Sequence, residues 1–304
     1  MSKRAFIFPG QGSQYVGMAK DLFEKTVEAK EMIRTADDIL GVNLSYIMFN
    51  GPEDELKQTQ YTQPAIFLHS VILASIIRTL NADAAAGHSL GEYSAYVASG
   101  AVQFHEAIKL VRARGVAMQE AGDEEKGTMA AVIGLSPEKV EAFCLEASNA
   151  GVVQCANFNS PGQIVISGSV DGVRKAMELC KNDSAKMVKE LVVSAAFHSP
   201  LMNSAKEKLN SALETTNFYE SKFPVYTNVG ARPVNNISEI KTKLYEQITS
   251  PVRWEETIKN MIDDGIEEFY EIGPGNVLQG LVKRINPDVK RFGIDKFEDV
   301  ERYL

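Results

Sequence analysis

Gly87-His88-Ser89-Leu90-Gly91 sets a serine between two glycines at the spacing GxSxG. On a tight strand-to-helix turn this pattern lifts the serine hydroxyl clear of the backbone, because the glycines let the chain pass close to itself. Glycine and serine are common enough that five residues alone decide little, and the context decides more. The small residues Ala82 to Ala86 read as a short strand before the serine and Glu92 to Val97 as a helix after it, which makes Ser89 the candidate nucleophile. A serine needs a base, and at neutral pH histidine is the usual one. His69 falls among Ile66, Phe67, Leu68 and Val71 and reads as packed or on a helix surface; His88 adjoins Ser89 with its side chain diverging; His105 starts an amphipathic helix. His198 follows the segment Leu191 to Phe197, read as the end of a strand, where α/β proteins place their sites, and by elimination it is the candidate base. That role predicts activity falling on acidification through a pKa of about 6 to 7. No carboxylate between Ser89 and His198 stands out as a third partner. A backbone carbonyl orienting the imidazole, in a Ser/His dyad, is the open alternative.

The second motif is Pro9-Gly10-Gln11-Gly12-Ser13, a glycine-rich loop after the apolar run Arg4 to Phe8. It lacks the lysine of a phosphate-binding loop and fits GxGxxG poorly. Its backbone N–H groups suit an oxyanion hole, with one donor near Gln11 and one at Leu90, just after the nucleophile.

The elements that hold these residues read as an α/β alternation. Helical periodicity runs through Leu22, Val27, Met32 and Ile33 to Gly41, over Pro64 to Leu80 and over Phe104 to Gln119. Between Gly127 and Phe197 short segments follow in the order β-α-β-β-α-β, the split pattern of a ferredoxin-like unit: strands at 128–135, 152–156, 163–167 and 187–193, with helices at 137–147 and 173–181. Beyond Pro200 the spacing restores helix and strand, including strands at 224–228 and 268–272 and a helix opened by Gly273-Pro274-Gly275. The expected architecture is a hydrolase-like α/β core with a mostly parallel sheet, formed by 1–126 and 195–304, interrupted by a small subdomain at 127–194.

With 32 Lys plus Arg against 40 Asp plus Glu, the 304-residue chain carries a formal charge of −8, which disfavours nucleic acid as a partner. A 44% hydrophobic and 24% charged composition is that of a folded globular chain. No apolar run reaches the roughly 20 residues of a membrane span or follows a signal peptide's pattern. Cys144, Cys155 and Cys180 are odd in number and show no CxxC spacing. Disulfides and zinc are therefore disfavoured, no metal site is expected, and a reducing cytoplasm is.

Taken together, PGQGSQ at 9–14, GHSLGEYSA at 87–95, RGVAMQ at 114–119, NFNSPGQIVISG at 157–168, AFHSPLM at 196–202, Gln247 with Pro251-Val252, and EIGPG at 271–275 resemble the malonyl-CoA:acyl carrier protein transacylases of bacterial fatty acid synthesis, in order and over nearly the whole chain. The resemblance implies ping-pong transfer of a malonyl group from malonyl-CoA to the phosphopantetheine thiol of acyl carrier protein, with no bound cofactor. It implies Ser89 as nucleophile, His198 as base, the Gln247 carbonyl as orienter of His198, and the Gln11 and Leu90 N–H groups as oxyanion donors. It also assigns Arg114, otherwise a surface helix arginine, to the free malonyl carboxylate, a job suited to a planar bidentate donor. Asn157 or Asn159 lines the site, and Phe197 before His198 matches the pattern that favours malonyl over methylmalonyl. The expected partner is an acidic carrier protein docked on a local basic patch, with Lys283, Arg284, Lys290 and Arg291 as candidates. A monomer is the default. The alternatives are a polyketide-pathway malonyl transferase, a serine esterase or thioesterase on the same nucleophile, and a catalytically silent interaction module.

Overall fold

A computed structural model describes residues 2–193 and 195–304. Its larger sheet contains β1 (Lys3–Phe8), β2 (Ala84–Gly87), β7 (Val225–Tyr226), β8 (Pro233–Val234), β9 (Ile266–Ile272) and β10 (Lys290–Ile294), in the spatial order β10-β9-β1-β2-β7-β8. All neighbours are parallel except the β7–β8 edge pair. Parallel strands with helices on both faces are buried on both faces, and β1 follows the rule. Ala5 and Ile7 meet a cluster containing Trp254, Ile258, Met261 and Leu281 on one side. Phe6 and Phe8 meet Leu22, Ile33 and Phe67 on the other. This is the period-2 alternation of a strand set between two helical layers.

The chain leaves this core after the helix Phe104–Glu124 and builds a second, antiparallel sheet from β3 (Gly127–Ile133), β4 (Val153–Ser160), β5 (Gln163–Ser169) and β6 (Met187–Glu190). The spatial order β4-β5-β3-β6 and the helices Pro137–Ala147 and Val170–Asn182 make it ferredoxin-like. One face, with Ala130, Val132, Ile164 and Ile166, packs against those helices together with the buried Cys144, Cys155 and Cys180. The other face turns Met129 and Val165 towards the main core. The expected end of this unit, at residue 194, lies outside the described residues.

Several elements differ from the sequence expectation. The long helix starts at Thr59 and ends at Ile76, so that Pro64 lies inside it. Proline offers no N–H to the carbonyl one turn back. The carbonyl of Gln60 accepts instead from Arg112 Nη1. β6 ends at Glu190, leaving Leu191 to Val193 outside the strand, so that His198 sits in a loop well beyond it. The expected strand at 224–228 shrinks to the two residues of β7. Among the described residues no helix is long and apolar enough to cross a membrane.

Candidate active site

Parallel sheets bring the carboxyl ends of neighbouring strands together, and the loops there gather the site. β1 ends in the Pro9–Ser13 loop, β2 in His88 and Ser89, and β7 leads to Asn228. The glycines around Ser89 are required by contact. A Cβ at Gly91 would lie 2.0 Å from the Phe8 carbonyl oxygen, and one at Gly87 would lie 1.9 Å from the Gly91 carbonyl carbon. Ser89 itself takes a left-handed φ of 51°. That conformation is costly for a residue with a side chain and marks a turn held by its surroundings. Here the Asn228 side chain holds it, accepting from the Ser89 N–H at 2.6 Å and donating to the Gly87 carbonyl at 2.6 Å.

His198 also has a left-handed φ, 56°. The small subdomain pins its backbone: Gln154 Nε2, on β4, donates to the His198 carbonyl at 2.8 Å. Its Nδ1 faces two carbonyls, Gln247 at 2.9 Å and Ser250 at 3.2 Å. Carbonyls only accept, so the ring proton resides on Nδ1 and Nε2 carries the lone pair. The Ser89 hydroxyl donates to that Nε2 at 2.8 Å. Backbone carbonyls thus occupy the place of a third-partner acid.

Burial, followed by the nearby Arg114 cation, pushes the His198 pKa down to about 3. Both causes disfavour an imidazolium. The expected acid limb near pH 6 to 7 is therefore corrected: the free imidazole is neutral throughout that range. His88 turns away from Ser89, with Nε2 on Asn159 Oδ1 at 2.9 Å and its ring 5.6 Å from that of Trp254, and burial lowers its pKa too. His69 is fully buried against Asp295, whereas His105 is exposed at the start of its helix.

Arg114 is fully buried, not a surface residue, which corrects the reading of it from composition and periodicity alone. Its Nη1 donates to Gln63 Oε1 at 2.7 Å, and its Nη2 to Gln247 Oε1 at 3.0 Å and Ser89 Oγ at 3.1 Å. Its guanidinium carbon lies 5.3 Å from the centre of the Tyr93 ring. Among the described residues the buried Nε donates to no hydrogen-bond partner within bonding geometry. A buried cation whose Nη2 faces the nucleophile is a place for an anion.

Gln11, Ser89, Leu90, Arg114, Phe197 and His198 line one side of a cavity of about 290 Å³ between core and subdomain. Met129, Asn157, Asn159 and Val165 close it from the subdomain side. The N–H groups of Gln11 and Leu90 donate to no acceptor among the described residues. Leu90 is the residue before the helix Gly91–Ala98, where backbone donors go unused. Gln247 lies fully buried behind the cavity wall.

Sequence reasoning missed four residues of this site. Gln63, Ser250 and Asn228 carry no local signal, since the fold brings each from a distant segment. Glu92 did carry one: three residues past Ser89 at the start of a helix, it must lie below the serine turn. It is fully buried, and burial raises its pKa to about 7 against the opposing hydrogen bonds from Asn228 and Gln247 and the charge of Arg114. Among the described residues no three His, Cys, Asp or Glu side chains converge as a metal site.

An acyl transferase domain model matches residues 5–291. The chain belongs to that family. This acyl transferase domain is 44% identical to a malonyl CoA-acyl carrier protein transacylase of Bacillus subtilis, over 99% of this chain and 96% of the relative. It is 42% identical to the protein of the same name from Staphylococcus aureus, over 99% and 98%. Among solved structures, an acyl carrier protein S-malonyltransferase from Vibrio cholerae superposes with a TM-score of 0.95 at 40% identity, covering 99% of each chain. A malonyl-transacylase in complex with a type II PKS acyl-carrier protein superposes at 0.96, with 39% identity over 100% of this chain and 99% of that one. The acyl transferase domain thus has relatives named for malonyl transfer along its whole length, and the same α/β core with a ferredoxin-like subdomain.

Proposed function

We propose that the protein is an acyl-carrier-protein S-malonyltransferase, which moves a malonyl group from malonyl-CoA to the phosphopantetheine thiol of an acyl carrier protein in fatty acid synthesis. The observation that carries this reading is a single oxygen with two partners: Ser89 Oγ lies 2.8 Å from His198 Nε2 and 3.1 Å from the buried Arg114 Nη2. A nucleophile, its base and a receptor for a carboxylated acyl group meet at one atom.

The chemistry follows from these positions. Ser89 Oγ attacks the thioester carbon as its proton passes to His198 Nε2, and the carbonyl oxygen becomes an oxyanion accepting from the N–H groups of Gln11 and Leu90. The imidazolium that burial and Arg114 oppose in the free protein is offset by this oxyanion, by the malonyl carboxylate on Arg114, and by the two carbonyls on Nδ1. Collapse of the intermediate breaks the C–S bond, and His198 returns the proton to the departing CoA sulfur. The carrier's thiol then gives its proton to His198, attacks the malonyl-serine ester and releases Ser89 by the same steps in reverse order. Phe197 and the apolar subdomain face limit room beside the α-carbon, with Asn157 and Asn159 completing the wall. One chain supplies every residue of this site, so a monomer would suffice for the chemistry, and three buried free thiols suit the cytoplasm.

Intact mass spectrometry tests the reading. The protein and its Ser89→Ala variant are exposed briefly to malonyl-CoA or acetyl-CoA, then to holo acyl carrier protein. A malonyl adduct on Ser89 alone, discharged onto the carrier, is the expected result. An adduct lost equally fast without carrier would make the protein a thioesterase. The similarity to a transacylase bound to a polyketide carrier favours polyketide supply as a second reading. Comparing discharge onto fatty acid and polyketide carriers separates the two.

A further inference from the structure

Glu92 is buried below Ser89 and takes no part in the proton transfers. Its Oε2 accepts from Gln247 Nε2 at 2.7 Å and from the Asn228 N–H at 2.9 Å. The same Gln247 Nε2 donates to the Ser89 carbonyl at 3.1 Å, and Gln247 Oε1 accepts from Arg114 Nη2 at 3.0 Å. The two ends of a side-chain amide are told apart by their partners. Two acceptors, Glu92 and the Ser89 carbonyl, hold the NH2 end on one side, and this turns the oxygen towards the guanidinium. Turned over, the amide would present its NH2 to a cation and leave Glu92 facing an oxygen.

We propose that Glu92 is a positioning residue for acyl-group selection: through the Gln247 amide it holds the Arg114 guanidinium over Ser89 Oγ, where the free carboxylate of the acyl group is received. The inference rests on the malonyl-transfer reading above. Glu92 forms no ion pair with Arg114 among the described residues, so the amide is the link between them. The required property is acceptance. The oxygen at Oε2 can do this whether or not the carboxyl, whose pKa burial raises to about 7, is ionised, whereas an apolar side chain leaves the buried Gln247 NH2 with one acceptor fewer and free to turn. The backbone carbonyl of Gln247, which orients His198, is a separate group, so base and receptor respond differently to the change.

The test measures the rates of malonyl and acetyl loading onto Ser89 by intact mass, for wild type, Glu92→Leu, Glu92→Asp and Glu92→Gln. The Leu variant removes the acceptor, the Asp variant shortens it, and the Gln variant keeps an oxygen where Oε2 stands. The ratio of malonyl to acetyl rates is expected to fall about tenfold in the Leu variant and by less in the Asp variant, the scale of a lost charge-assisted hydrogen bond. The Gln variant is expected to keep the ratio within about threefold. Circular dichroism selects the variants that fold, and the Asp variant carries the test where the Leu variant does not. A merely structural role lowers both rates together, and an unchanged ratio in the folded Leu or Asp variant overturns the proposal. A Gln variant as unselective as Leu overturns positioning by acceptance. Wild-type protein that takes up no malonyl group overturns the underlying function as well, a result distinct from either of those.

Discussion

Arg114 is the residue at which chemistry and specificity separate. Its Nη2 reaches Ser89 Oγ at the cavity wall, so on the proposed reading an acyl group with a free carboxylate would pair with the guanidinium and an acetyl group would not. Sites that leave a buried polar group unpaired discriminate far better than sites that sense size. Arg114→Ala is expected to lower malonyl loading by about a hundredfold or more and acetyl loading much less; equal losses for the two donors would remove it from substrate recognition. His198 makes a separate prediction. With its pKa pushed down to about 3, the imidazole is already neutral at pH 5, so Ser89 acylation by acetyl-CoA is expected to vary less than about twofold between pH 5 and 8. An acid limb centred near pH 6.5 that persists in Glu92→Gln would instead mean a solvated histidine, since Glu92, pushed up to about 7, titrates in the same range. The same shift bears on stability: the folded value is depressed, so the contribution is complete above the unfolded pKa of 6.5 and is lost as pH falls through that value towards about 3. Ser89 and His198 were legible because few residues of their type have the right neighbours. The burial of Arg114 was not, since its helix reads amphipathic and its polar partners Gln63 and Gln247 lie 51 and 133 residues away.

At the scale of elements, the serine turn works because two strands and a helix come closer than side chains permit. Gly91→Ala would put a methyl group 2.0 Å from the Phe8 oxygen and push the β1 end and its Gln11 loop away from Leu90. It is expected to destabilise the fold by roughly 3 kcal/mol or more and to abolish acylation. Gly280→Ala is the control: a Cβ there, in the helix Val277–Ile285, meets nothing within 4 Å. It is expected to stabilise by roughly 0.4–1 kcal/mol. Denaturant melts of the two variants check both, and similar midpoints would contradict the close approach at Gly91. This level also marks where periodicity stops being readable. β1, β2 and the split unit are long or well punctuated, and their order was plain from the sequence. β7 keeps only two residues of the strand expected at 224–228, paired to β2, and β8, whose two residues pair with β7 alone, has no local pattern that announces it. His198 depends on such placement too, since its loop is held by Gln154 from β4 and not by a strand end.

For the molecule as a whole, a net charge of −8 repels an acidic carrier unless positive charge is concentrated at the cavity mouth. The four basic residues singled out from the sequence do not stand alike. Arg291 Nη1 is spent on the carbonyl of Pro287 at 3.0 Å, and Lys290 pairs with Glu268 at 3.1 Å. Lys283 and Arg284 are exposed in the last turn of the helix whose Val277, Leu278 and Leu281 line the cavity, and Arg284 reaches Gln163 on the opposite rim. A carrier whose pantetheine arm entered the cavity beside Val277 and Gln163 would pass these two cations. The double reversal Lys283→Glu with Arg284→Glu is expected to raise the carrier's KM about tenfold at low salt, as two opposed contacts should. Malonyl loading from CoA, which precedes carrier binding, is expected to change less than about twofold. Because such contacts are screened over roughly 8–10 Å at moderate ionic strength, the difference from wild type should shrink as salt is raised. Reversal of Lys290 and Arg291 should leave the KM in place and lower the melting temperature instead. Steady-state transfer to holo carrier across a salt series distinguishes the pairs, and an equal rise in KM for both would place docking on the whole basic edge and not on the cavity mouth.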